Sequence, residues 1–411
     1  APSTGNIVNT LNRLGIRRAE HIVTGSFAGA LFDFTKSGTT VDSNGSLIGD
    51  IVQDSMLILG GAGNANGAVT GLTGREGDAV ARAFSGASDA MTTGVLNNTA
   101  FASQRLIRLR NANVRAAMSK VRSLASSDAH ASAIMNAGCA NRFWASGLGQ
   151  WEDAGPRGGD LGYKIDSAGF MAGYDHVFGS VVAGGSFGYV RSDFEDKAAL
   201  ADDSDIDSYS LNLYATLNHS SGFFAGVMGG YMYSDFDMNR ALLAAGPRDK
   251  GEYHANTWSL GTQVGYDWNP VDNLVLTPSL GLAYFHTRTG KIANTYATID
   301  RLKEDAVQMP LDLEIRYDIP AGSAGVLSLK ANAGYAYNFK NGGAEGALTY
   351  NGILNSPRVS VSGRTPGRHT LNLGAGAKVS IGRFEAALEY DYFTKKDSDA
   401  HRVMGTFGVS F

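Results

Sequence analysis

The stretch SYSLNLYATLN, residues 208–218, decides the fold. Tyr209, Leu211, Leu213, Ala215 and Leu217 alternate with Ser208, Ser210, Asn212, Tyr214, Thr216 and Asn218. A period of two puts the first set on one face of an extended strand and the second on the other. LSLKANAGYAYN (327–338) repeats the pattern, with Leu327, Leu329, Ala331, Ala333, Tyr335 and Tyr337 against Ser328, Lys330, Asn332, Gly334 and Asn338. So does VQMPLDLEIRYD (307–318), with Val307, Met309, Leu311, Leu313, Ile315 and Tyr317 against Gln308, Asp312, Glu314, Arg316 and Asp318.

Working outward, the alternation predicts twelve strands, near 142–152, 163–177, 180–192, 205–219, 222–236, 253–268, 272–287, 304–318, 325–339, 367–381, 383–395 and 399–411. Even-to-odd connections such as Phe178-Gly179 and Gly382 are mostly tight; odd-to-even ones are mostly long. That asymmetry, with an even strand number, is expected of an outer-membrane barrel with short periplasmic turns and long outer loops. The composition agrees. Gly is 53 of 411 residues and Pro only 9, which suits a curved sheet in which backbones and side chains crowd. No run of 18 apolar residues could form a transmembrane helix, but a barrel needs only alternate apolar positions. A net charge of −4 gives no general pull toward nucleic acid. The single cysteine, Cys139, allows no intrachain disulfide, and neither metal motif nor cofactor motif is present.

Alternation alone does not separate a soluble sandwich from a barrel whose apolar face meets lipid. Three features favour the barrel. Trp258, Tyr266 and Trp268 share one strand face, with the tryptophans near opposite ends, and Phe223, Tyr231 and Tyr233 do the same on another; rings at two levels form an interfacial girdle. Asp312, Glu314, Glu385, Glu389 and Asp391 fall on the faces opposite the apolar ones, and so should face a lumen. Val403, Phe407, Val409 and Phe411 share one face of the final strand.

The segment before the strands differs in kind. NNTAFASQRLIRLRNANVRAAMSKVRSLASS holds no Gly and no Pro, and no Asp or Glu occurs from Met91 to Ser127. Arg108, Arg115 and Arg122 are spaced by seven on one helical stripe, with Arg105 three before the first. Such a helix cannot be the core of an ordinary domain. It needs water or an acidic surround, which a lumen lined by carboxylates would supply. The expected architecture is therefore an all-β transmembrane protein: a twelve-stranded antiparallel up-and-down barrel with an N-terminal helix threaded through it. The expected divisions are 1–96, a passenger remnant or linker; 97–135, the basic pore helix; and 136–411, the barrel.

The Gly-free helix of the LNNTAFASQRLIRLR type, the opening strand NRFWASGLGQW, the segment AGFMAGYDHVFGS and the ending GTFGVSF, in this order, resemble the autotransporter β-domain of type V secretion. The resemblance implies a bacterial outer-membrane translocator that exports an N-terminal passenger to the cell surface. It implies as partners the membrane lipids, the barrel-assembly machinery, which reads the last strand with Phe407, Val409 and Phe411, and the chain's own passenger, on a monomeric barrel without cofactor. Some members of that family cut the passenger at an Asn-Asn pair in the helix; Asn97-Asn98 stands at the matching place, although Thr99, Ala100 and Phe101 fit that subgroup poorly and a helix cap and linker is the simpler reading of the pair. Two other function classes compete. A barrel protease would need rim groups such as Asp193, Asp203, His254 and His286, which sit in no recognisable motif. A diffusion pore or loop-borne adhesin would be hard to reconcile with a helix filling the lumen.

Overall fold

The computed structural model describes residues 141–156, 162–197, 202–219, 221–241, 248–293, 297–320, 325–341, 345–350, 359–362 and 367–411. Asn97-Asn98, the basic segment with Arg105, Arg108, Arg115 and Arg122, and Cys139 lie outside these residues.

Twelve long strands close into one antiparallel barrel: β1 (Asn141–Ala154), β2 (Tyr163–Phe178), β3 (Val181–Asp196), β4 (Asp202–Asn218), β5 (Phe223–Ala241), β6 (Arg248–Tyr266), β7 (Leu274–Thr289), β8 (Lys303–Pro320), β9 (Val326–Asn341), β10 (His369–Ile381), β11 (Phe384–Lys395) and β12 (Ser398–Ser410). Each pairs with its sequence neighbour, and five shorter extended pieces decorate the connections. The ring closes where β1 pairs with β12, from Arg142 opposite Ser410 to Ala154 opposite Ser398. Reciprocal bonds seal the seam: Asn141 N–H donates to Phe411 O at 3.0 Å, and Phe411 N–H to Asn141 O at 2.9 Å. Closure leaves no unpaired strand edge, as a sheet in hydrocarbon requires.

The two ends of the barrel differ. At the end holding Asn141 and Phe411, two-residue turns join β2 to β3 and β10 to β11. Gly179 (φ 59°) and Gly382 (φ 56°) occupy the first turn position, where primed hairpins demand positive φ. The opposite end carries the longest connections, although β3 and β4 are joined by residues 197–201 and β11 and β12 by Lys396-Asp397 alone.

Across the barrel's middle the outward face is apolar and fully presented. Leu213 is 66% exposed, Leu388 61% and Leu373 59%. A continuous belt of this kind would aggregate in water and is matched by lipid. Phe143, Phe178, Phe223, Tyr266, Trp268 and Phe384 ring the belt near the end with short turns; Tyr209, Tyr231, Trp258, Tyr284, Tyr335 and Tyr390 ring it at the other.

Beyond this outer girdle the faces exchange polarity. On β4, Ile206 turns inward while Asp205 and Asp207 turn outward; on β5, Phe236 and Met238 point in and Asp235 and Asp237 out; on β6, Tyr253 is in and Glu252 out. Once the outer face leaves lipid it meets water, and the apolar side chains move to the other side, where Phe236 stacks on Tyr253 at 4.6 Å and Tyr163 on Phe194 at 5.4 Å.

Candidate functional site

The lumen wall is chemically divided. One arc, on β1 to β5, sets apolar clusters among hydroxyl and amide groups such as Ser146, Ser186, Asn212 and Thr216. Trp144, Met171, Val182, Tyr214 and Met228 form a buried inward cluster, and Leu148, Val190 and Met404 form a second. The Trp144 ring lies across β2 at Gly173, where a Cβ would stand 2.5 Å from it, and its Nε1–H donates to Tyr214 Oη at 3.1 Å. Glycine is needed at 173 because the indole occupies the space a side chain would use.

The other arc, on β8 to β12 and the adjoining β1, is ionic. Asp312, Glu314, Glu385, Glu389 and Asp391 occupy buried or half-buried positions of their strands, and neighbouring strands bring cations to the last three. Arg142 lies 2.5 Å from Glu385, with Lys378 at 3.4 Å on its other oxygen. Lys330 pairs with Glu389, and Arg402 with Asp391. Asp312 and Glu314 share the inward face of β8 with Arg316, whose Nε lies 3.3 Å from Asp318. Glu152 on β1 accepts from Tyr163 at 3.0 Å and Ser398 at 2.8 Å, and lies 3.6 Å from Lys395. Burying ions is costly unless they are paired, and cross-strand placement brings these opposite charges together.

The sequence reading missed the wall cations Arg142, Lys378, Lys395 and Arg402, and the carboxylate Glu152. A signal was present, since Lys330 and Arg316 stand on the polar faces of their strands. Carboxylates buried in a lumen call for cations of the opposite parity on neighbouring strands.

Outside the outer girdle lie two contrasting sectors. On β2 to β6, Asp166, Asp193, Asp205, Asp237 and Glu252 stand directly opposite one another in sequence across five strands. Partial desolvation and the neighbouring Asp205 push the Asp193 carboxyl above its ordinary range, with Arg191 acting the other way. On β7 to β9, His286 Nδ1 lies 2.7 Å from Asp305 Oδ1, Tyr284 donates to the same oxygen at 2.9 Å, and Lys340 Nζ lies 2.5 Å from Oδ2. Partial burial opposes ionisation of Asp305, but the bonds from Lys340, His286 and Tyr284 outweigh it and bring the carboxyl down to about 2. The four rim groups considered for a protease do not converge. His254 stacks on Tyr233 at 5.8 Å, His286 is held by Asp305, and among the described residues no cluster of three His, Cys, Asp or Glu could hold a metal.

Phe411 stacks on Phe143 at 5.6 Å across the seam, Phe407 packs on Phe384 at 6.1 Å, and Val409 stands opposite both Phe143 and Phe384.

A closed up-and-down barrel with a lipid-facing belt between two aromatic girdles defines a bacterial outer-membrane β-barrel. The chain belongs to the autotransporter beta-domain family, whose model matches residues 143–391. It is 33% identical over 156 residues to an extracellular serine protease of Serratia marcescens, covering 37% of this chain but 14% of that protein. It is 22% identical over 288 residues to outer membrane protein B of Rickettsia prowazekii, covering 65% of this chain and 17% of that protein. The match thus spans a small part of each relative's length. The translocator domain of the autotransporter NalP from Neisseria meningitidis shares the fold, with a TM-score of 0.54 at 16% identity, over 77% of this chain and 100% of that one. The barrel is accordingly an outer-membrane translocator.

Proposed function

We propose that this barrel exports an N-terminal passenger to the cell surface and anchors it there, with residues 97–135 threaded through the lumen. The observation that carries the reading is the burial of the wall. Arg142, Asp175, Phe224 and Phe236 are each no more than 1% exposed. A ring of twelve strands is wider than the eight-stranded one that its own inward side chains fill. Among the described residues, inward carboxylates (Glu152, Asp175, Glu304, Asp312, Glu314, Asp318, Glu385, Glu389, Asp391) also outnumber inward cations (Arg142, Arg316, Lys330, Lys378, Lys395, Arg402). The balance favours a basic segment bearing Arg105, Arg108, Arg115 and Arg122. In this reading residues 1–96 are passenger remnant or linker, the barrel acts as a monomer within membrane lipid, and the barrel-assembly machinery reads the aromatic face of β12 at Phe407, Val409 and Phe411. Cleavage at Asn97-Asn98 would be a single-turnover event within that lumen.

The test is surface display. An epitope fused before Ala1, expressed behind a secretion signal, should be reached by antibody on intact cells. The signal should vanish when residues 97–125 are deleted. An epitope reached only after permeabilisation, on a properly folded barrel, would sink the export reading.

A further inference from the structure

We propose that the outer face of β7, β8 and β9, just beyond the girdle, docks the phosphate-bearing headgroup of a lipid in the outer leaflet. The inference rests on the membrane placement above, not on export. Arg288 on β7 and Lys303 on β8 stand directly opposite each other. Among the described residues neither side chain makes an ion pair or hydrogen bond, and Glu345, opposite Lys303 in register on a short strand, does not pair with it. Like charges in directly opposed positions repel, so an anion placed beside the pair is favoured. Asp305 is already engaged by His286, Tyr284 and Lys340, and it makes no ion pair with Arg288 or Lys303.

That carboxylate instead fixes a platform. It holds Lys340, 58% exposed, with ammonium protons to spare for a ligand. Two exposed aromatic side chains flank the platform, the girdle's Trp258 opposite His286 and Phe339 beside Lys340. The cations therefore stand where headgroups begin. The facing sector on β2 to β6 has the reverse character: its row of carboxylates repels phosphate and confines docking to β7–β9.

Native mass spectrometry of the full chain released from phosphatidylcholine nanodiscs tests this. The discs would carry either diphosphoryl lipid A or the same lipid stripped of phosphate. The chain should retain the phosphorylated form, and Arg288→Glu/Lys303→Glu should lower retention about tenfold. Lys396→Glu, at the β11–β12 turn, should leave it unchanged. Heat-modifiable gel mobility confirms that each variant is folded. Equal retention of the dephosphorylated lipid would reduce the patch to apolar contact. Displacement by millimolar inorganic phosphate would make it a free-anion site, and loss of a chain–chain complex in place of lipid would assign it to a second copy; each overturns the proposal. Surface display by the same double variant separates this failure from failure of the export reading.

Discussion

The same sheet behaves as two materials on either side of its outer girdle. Between the girdles, Leu211, Leu213 and Leu217 of β4 face lipid while Ser208, Asn212 and Thr216 face the lumen. A few residues earlier on the same strand, Asp205 faces out and Ile206 faces in. The backbone does not change; the solvent does. Alternation therefore fixes where a strand runs, but which of its faces is apolar reports the medium at that height.

The largest effect should come from the ionic arc between the girdles. Lys330→Met leaves Glu389, whose side chain is 3% exposed, without its partner and should cost about 3–5 kcal/mol. Lys330→Met/Glu389→Leu should recover most of that, read by urea unfolding of the barrel in lipid. If the single variant is neutral, water reaches this arc and the division of the wall is weaker than the packing implies.

A pair of substitutions on one face of β4 tests the girdle itself. Leu213→Lys, in the middle of the belt, should cost about 2–4 kcal/mol. Asp205→Lys, beyond the girdle, should change stability by no more than about 0.5 kcal/mol, because relief of a row of like charges offsets loss of the exposed pair with Arg191 at 3.0 Å. Equal penalties would mean that the lipid boundary lies elsewhere.

On the arc of β1 to β5, Gly173→Ala should cost about 1–3 kcal/mol, because its Cβ collides with the Trp144 ring. A shift in tryptophan fluorescence should accompany the loss.

The smallest effect lies beyond the girdle. The Asp305 carboxyl is lowered from 3.8 to about 2 in the folded barrel, so its contribution is fully present above 3.8 and is lost as pH falls through about 2. The stability difference between the protein and Asp305→Asn should be constant near neutrality and vanish toward pH 2; a difference that persists there would assign Asp305 a role other than as an ion.

This contrast also explains what could be read in advance. The twelve strands were legible because period-two alternation is long and repeated. The boundaries failed most at the outer ends of β5 and β6, expected to stop at 236 and start at 253 but observed reaching Ala241 and starting at Arg248. There the alternation continues with its polarity inverted, so a search for apolar outward residues ends at the girdle. The inward position of Glu389 and Asp391 could be read from parity alone. Their pairing with Lys330 and Arg402 could not, because it depends on register between strands. The apolar lining at Trp144 and Met171 was hidden because a lumen was expected to be uniformly polar.

The seam has a consequence in time. The strand that pairs with β1 is the last of the twelve to be synthesised, and the bond from Asn141 N–H to Phe411 O cannot form until the ribosome has made nearly everything between. Until then the sheet has two raw margins, each able to pair with any other strand. Closure of so long a loop is intrinsically slow. The unfinished barrel therefore needs protection for the whole of that interval, and a chain truncated before β12 remains open however sound its other eleven strands.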